Sequence, residues 1–231
     1  MQPYFLPYVG YFSLIAACDR FILLDTVQFI RHGWIERNRI LRPEEGWQYI
    51  GVPLRRHHRE TLIQDVRIDR ATDWRRRILA QLEHYRKRAP RYHEVAAWLQ
   101  AALDHETDSI VKLDRRLLER TCERLGVATP IEVFSEMDLE IEPPSAPDEW
   151  ALNICRALGG VTEYWNPMGG QSFFDRSKYE ANGISVSFLE QRLDRYDQRR
   201  EPFTPGLSIL DVMMFNGVEA TRSMLEAYEL H

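Results

Sequence analysis

Cysteine is scarce in this chain of 231 residues: Cys18, Cys122 and Cys155 are the only three. They are too few and too scattered for a disulfide framework, and no pair has metal-ligand spacing. They read as small apolar residues within helices, and the sequence offers no metal site. Long apolar runs are missing as well, so no stretch reaches the ~20 residues of a membrane span. The N-terminus has no basic leader and carries prolines that break any apolar core, which excludes a signal peptide and makes the cytoplasm the expected location. Nor is there an excess of one charge. With 30 basic and 35 acidic residues and a net charge of −5, nothing drives the chain toward DNA or anionic lipid. Walker loops, zinc motifs and GxSxG elbows are absent, as are internal repeats, and no cofactor is called for.

What is present is the composition of an ordinary globule, 44% hydrophobic and 28% charged, long enough to bury a sizeable core as one domain over 1–231. Basic runs between 55 and 91 and an acidic run over 132–149 read as solvated faces. "RFILLD" (20–25) is a continuous apolar run of strand length. With residues 1–2 as the end of a strand and "GYFSLIAACD" as a helix, the first 25 residues predict a parallel β–loop–α–β unit. "NRILRP", "WQYIGVPL" and "LIQDVRID" have strand composition, the first two joined by the turn "RPEEG". Three helices follow, at "TDWRRRILAQLEHYRKR" with a Thr72 or Asp73 cap, "RYHEVAAWLQAALDH", and "SIVKLDRRLLERTCERLG" between Ser109 and Gly126. They predict a helical insertion over about 71–126. From 130 the alternation of strand and helix returns, closing with helices at "SILDVMMFNG" and "EATRSMLEAYEL". The expected fold is α/β: a mostly parallel, Rossmann-like sheet with helices on both faces.

In such sheets ligands bind beyond the carboxyl ends of the strands, which selects four loops. "QPYFLPYVG" offers Gln2 and Tyr11. The loop after "RFILLD" offers Asp25 at a strand end, then Gln28, His32, Trp34, Arg37, Asn38 and Arg39. Asp25 is the expected general base or substrate orienter, with His32 behind it because no orienting carboxylate accompanies the ring. Trp34 suits stacking on a base or sugar, and Arg37 or Arg39 suits a phosphate. "NPMGGQ" offers Asn166, Gly169, Gly170 and Gln171, with a turn needing positive φ as the plainer reading of its glycines. The fourth loop ends in "TPGLSILD", where Ser208 and Asp211 have capping-box spacing and capping accounts for the pair. Tyr4, Phe5 and Phe12 are expected to pack.

"MQPYFLPYVGYFSLI", "DRFILLDTVQFIRHGWIERNRIL", "TEYWNPMGGQSFFD" and "LSILDVMMFNG", in that order, resemble the WbqC-like protein family over nearly the whole chain. Family members carry a few residues ahead of the "QP" that complete a first strand, which the resemblance leads one to expect before Met1. The family's acidic pair stands here as "DT", leaving Asp25 without an adjacent carboxylate and placing a two-acid mechanism in doubt. The resemblance implies a bacterial enzyme of surface-polysaccharide (O-antigen-type) biosynthesis that transfers an acyl or aminoacyl group to a nucleotide-linked amino sugar. The implied partners are a nucleotide-activated sugar and an acyl donor, with aminoacyl-tRNA or an acyl carrier as possible donors. The alternative is a non-catalytic module that binds a sugar nucleotide or a carrier. The opening is also similar in outline to HxGH nucleotidylyltransferases, but Tyr8 and Tyr11 stand near the two histidine positions. That loss argues against adenylyl or cytidylyl transfer.

Overall fold

Short apolar runs and well-marked caps divide the chain into many small elements. In the computed structural model, which describes residues 1–231, these are α1 (Val9–Ala17), β1 (Phe21–Leu23), β2 (Arg37–Leu41), β3 (Trp47–Gly51), α2 (Trp74–Leu82), α3 (Tyr92–Leu103), α4 (Ile110–Leu125), β4 (Ile131–Val133), α5 (Glu149–Leu158), β5 (Glu163–Pro167), α6 (Arg176–Glu180), β6 (Ser185–Gln191), α7 (Ile209–Phe215), α8 (Val218–Leu225) and β7 (Tyr228–Leu230).

The helix signals act as expected. Asp73 caps α2 by accepting from Arg76 N at 3.1 Å. Ser109 Oγ accepts from Lys112 N at the start of α4, and Gly126, at φ 70°, ends it in the left-handed region. Of the expected opening β–loop–α–β unit, α1 and β1 form, while residues 1–2 make no strand. Residue 1 lies beside β1, its nitrogen donating to Ile22 O at 2.9 Å and its carbonyl accepting from Leu24 N at 2.7 Å. This is a parallel pattern, on the edge of β1 opposite β4.

The expected single, mostly parallel Rossmann-like sheet does not form. The fold is mixed α/β, with small separate sheets: a parallel pair β1–β4, an antiparallel hairpin β2–β3, and β5–β6–β7, parallel then antiparallel. Strands of three residues, as in β1, β4 and β7, carry only short ladders. Two further elements differ from expectation. "LIQDVRID" forms no ladder, because its N–H groups go to loop carbonyls: Ile63 to Val27, Gln64 to Asp25 and Ile68 to Asp108. The last apolar residues leave α8 and pair with β6, Leu230 opposite Leu189.

One continuous apolar core joins α1 and β1 to the three middle helices through residues such as Trp74, Leu99 and Leu117. A second, smaller core gathers Leu152, Cys155, Tyr179, Val186 and Phe188 beneath α5, α6 and β6. Between the two cores lies a deep cleft.

Candidate functional site

Three distant segments meet at the mouth of this cleft and fix one another through the backbone. Phe5 N donates to Trp34 O (2.9 Å), and Asn38 Nδ2 returns a bond to Phe5 O (3.1 Å). Ser208 Oγ donates to Leu6 O (2.7 Å), Ile209 N to Pro7 O (2.8 Å) and Ser208 N to Arg39 O (2.8 Å). Leu6, wholly buried, is held at φ 43°, a strained conformation for a leucine that these bonds over-determine. The proline-bearing opening loop therefore has its carbonyls committed to structure, and it delivers α1 to the cleft wall.

The cleft has a volume of about 1560 Å³ and runs from the amino to the carboxyl ends of β1 and β5. Of the residues expected from sequence, Gln2, Tyr11, Trp34, Asn38, Arg39, Asn166, Gly169 and Gly170 line it together. Arg39 is its best-placed cation. Its guanidinium carbon lies 5.3 Å from the Trp34 ring centre and 5.2 Å from that of Trp47. One of its nitrogens donates to Gly206 O at 3.2 Å, while the buried Nε has no partner. Asn38 spends its amide on Phe5 and accepts from Arg39 N at 2.8 Å, so it positions the arginine. Asn166, almost fully buried, is packed against Gly170, where a Cβ would stand 2.0 Å from Asn166 Nδ2. Neither Gly169 nor Gly170 has positive φ. Close approach, not turn geometry, explains Gly170, and a Cβ on Gly169 would meet nothing within 4 Å.

Tyr11 is more buried than a ligand contact needs. Its hydroxyl donates to Gln2 O at 2.6 Å and its ring packs on Tyr4 and Phe21. Phe5 and Phe12 are core, as expected, but half-buried Tyr4 lines the cleft, as does Tyr8. The two cleft thiols are chemically quiet: burial pushes Cys18 and Cys155 up to about 11.

The remaining expected residues stand outside the cleft. Gln28 is exposed and donates to Arg59 O, and Gln171 is exposed in the turn after β5. Arg37 turns back, donating to His32 O (2.6 Å) and lying 4.0 Å over the Tyr49 ring. His32 sits on the exposed loop at φ 64°. Asp25 faces a separate, polar cavity of about 390 Å³ at the carboxyl ends of β1 and β4, shared with Arg67, Lys112 and Ser135. There it accepts from Ser135 N (3.0 Å) and Ser135 Oγ (2.5 Å). Burial raises its pKa, while the Ser135 bonds pull the other way.

Asp211 is not the capping acid its spacing suggests. It is wholly buried and accepts from the hydroxyls of Tyr85 (2.6 Å) and Tyr196 and from Gln198 Nε2 (3.0 Å). Burial pushes its carboxyl up to about 6 against the pull of those bonds. Ser208 does cap α7, accepting from Leu210 N.

Sequence reasoning missed Trp47, which completes the enclosure of Arg39. The signal was there: the turn at 42–46 sets a register that places Trp47 opposite Leu41, diagonal to Arg39. It also missed Ile30, Phe173 and Leu193 at the rim.

The fold is a small mixed α/β one, and its cleft gathers Gln2, Asn38, Arg39 and Asn166. The chain belongs to the WbqC-like protein family, whose model matches residues 2–223. It is also similar to the uncharacterized protein Rv1507c of Mycobacterium tuberculosis (strain ATCC 25618 / H37Rv), with 32% identity over 225 residues that cover 95% of this chain and 94% of that protein. No solved structure matches the chain. No helix is long and apolar enough to cross a membrane.

Proposed function

We propose that the protein is an enzyme of surface-polysaccharide (O-antigen-type) biosynthesis that transfers an acyl or aminoacyl group to a nucleotide-linked amino sugar bound in the cleft. The biosynthetic setting rests on the family resemblance. The ligand class rests on Arg39. A guanidinium near two indoles, with one terminal nitrogen tied to Gly206 O, suits the diphosphate of a sugar nucleotide. Trp34 supplies a face for the base or sugar, and Asn166 and Gln2 supply amides for hydroxyls. In the transfer, the sugar amine forms a bond to the acyl carbon, the bond from that carbon to its carrier breaks, and the amine proton leaves with the carrier. Asp25, the base expected from sequence, is held by Ser135 in a separate cavity and takes no part in this step.

A second reading, a non-catalytic binding module, is favoured by one observation: Asp25 and His32 both stand outside the cleft. Thermal-shift and calorimetric titration with UDP- and dTDP-amino sugars tests both. Binding by wild type and a loss of about tenfold or more in Arg39→Ala is expected, the worth of a charge-assisted hydrogen bond. Failure of every sugar nucleotide to bind sinks the proposal. Turnover with an acyl donor, reduced about tenfold or more in Arg39→Ala, distinguishes the enzyme from the module.

A further inference from the structure

Exposed large apolar side chains are ordinary when scattered and informative when they converge. Here three converge. Ile30 (59% exposed), Phe173 (51%) and Leu193 (41%) all line the cleft. They come from separate parts of the sequence, and each lies a few residues beyond the carboxyl end of a different strand: β1, β5 and β6. Leu193 lies beside Arg39: a Cβ built on Gly206 would stand 3.7 Å from Leu193 Cδ1 and 3.6 Å from an Arg39 guanidinium nitrogen. The three form an apolar collar that borders this cation at Leu193.

The acids of the cleft are elsewhere. Asp19 precedes β1 and Glu163 opens β5, so both belong to the amino ends of the strands. Glu163 Oε2 is also engaged by Trp165 Nε1 at 3.0 Å. Asp194, next to Leu193, is outside the cleft lining and already faces Arg192 at 3.7 Å. An α-ammonium or β-ammonium group entering at the mouth therefore meets a guanidinium and three apolar side chains, with no carboxylate of the cleft beside it.

We infer that the collar of Ile30, Phe173 and Leu193 binds an aliphatic acyl group of a thioester donor, and selects it over an aminoacyl group. This deepens the reading of the cleft as an acyl-transfer site and rests on it. The acyl chain covers apolar surface that otherwise faces water, while Arg39 stays with the diphosphate of the sugar nucleotide. An ammonium there would lose hydration without gaining a counter-ion.

The test is a calorimetric titration of the full chain with CoA, acetyl-CoA, butyryl-CoA, hexanoyl-CoA and β-alanyl-CoA, with a UDP-amino sugar titrated in parallel. Affinity is expected to rise roughly fourfold per added methylene, and butyryl-CoA to bind at least tenfold more tightly than its near-isostere β-alanyl-CoA. Phe173→Ser and Leu193→Ser are expected to flatten the chain-length dependence toward the affinity of CoA itself. Both positions are exposed, so the variants are expected to fold, and a melting temperature equal to wild type verifies it. Equal affinity for hexanoyl-CoA and CoA, or tighter binding of β-alanyl-CoA, overturns the inference. So does chain-length dependence that survives both substitutions. If the sugar nucleotide binds while these results fail, the collar is at fault. If no sugar nucleotide binds, the reading of the cleft has failed.

Discussion

Replacing Asp211 by asparagine removes a titrating group from the centre of the fold without removing its bulk. The carboxyl is buried among Tyr85, Tyr196 and Gln198, and its pKa stands at about 6 in place of 3.8. Because the folded value is the higher one, the folded chain binds a proton across that window that the unfolded chain has released. The contribution is fully stabilising below 3.8 and is lost as the pH rises through about 6. Its size is about 3 kcal/mol, from 1.36 kcal/mol for each pH unit between the two values. The group is buried, so solvent screening does not reduce it. Urea denaturation of wild type and Asp211→Asn, followed by tryptophan fluorescence from pH 4 to pH 7.5, isolates the effect. Every other carboxyl is common to both proteins, so the difference in stability carries only residue 211. That difference should move against wild type by about 2.4 kcal/mol between pH 4 and pH 7, most of the full span. A flat difference would show that the tyrosine and glutamine bonds outweigh burial and that Asp211 is charged throughout.

Two further substitutions probe other parts of the argument. Gly170→Ala drives a methyl group into the Asn166 amide and is expected to weaken sugar-nucleotide binding about tenfold or more, while Gly169→Ala, which meets open space, changes it little; equal effects in calorimetry would remove the steric account. Asp114, fully buried in α4 with both carboxyl oxygens unpartnered, has its pKa raised well above the usual range by burial and then by Glu36. Asp114→Leu should stabilise the fold by about 1–3 kcal/mol, with a larger advantage at pH 8 than at pH 5, because a raised pKa makes the acid costlier as the pH climbs; a lower melting temperature at both pH values would contradict this.

Local chemistry was legible where its partners are local. The Asp73 and Ser109 caps, the stop at Gly126 and the hairpin at 42–46 could all be read from a few neighbouring residues, and they formed. Asp211 shows the limit. Its spacing from Ser208 matches a capping box, but its side chain goes to Tyr85, 126 residues earlier, and nothing in the local pattern encodes that pairing. "LIQDVRID" fails for a related reason: strand composition favours an extended chain, while ladder formation needs a neighbouring edge, and here the neighbours are loops. At the site, residue types were readable and directions were not. Arg37 and Arg39 share a hairpin face, and only Trp34, Trp47 and the Gly206 carbonyl decide which of them meets the cleft.

The junction of residues 5–7, 34–39 and 206–209 also has a consequence in time. A ribosome makes the first of these segments two hundred residues before the last, yet Leu6 and Pro7 depend on Ser208 and Ile209 for their hydrogen bonds. The mouth that holds Arg39 cannot be finished until residues 206–209 have been made, so a chain that stops short of them carries every predicted ligand residue and no assembled place to use them.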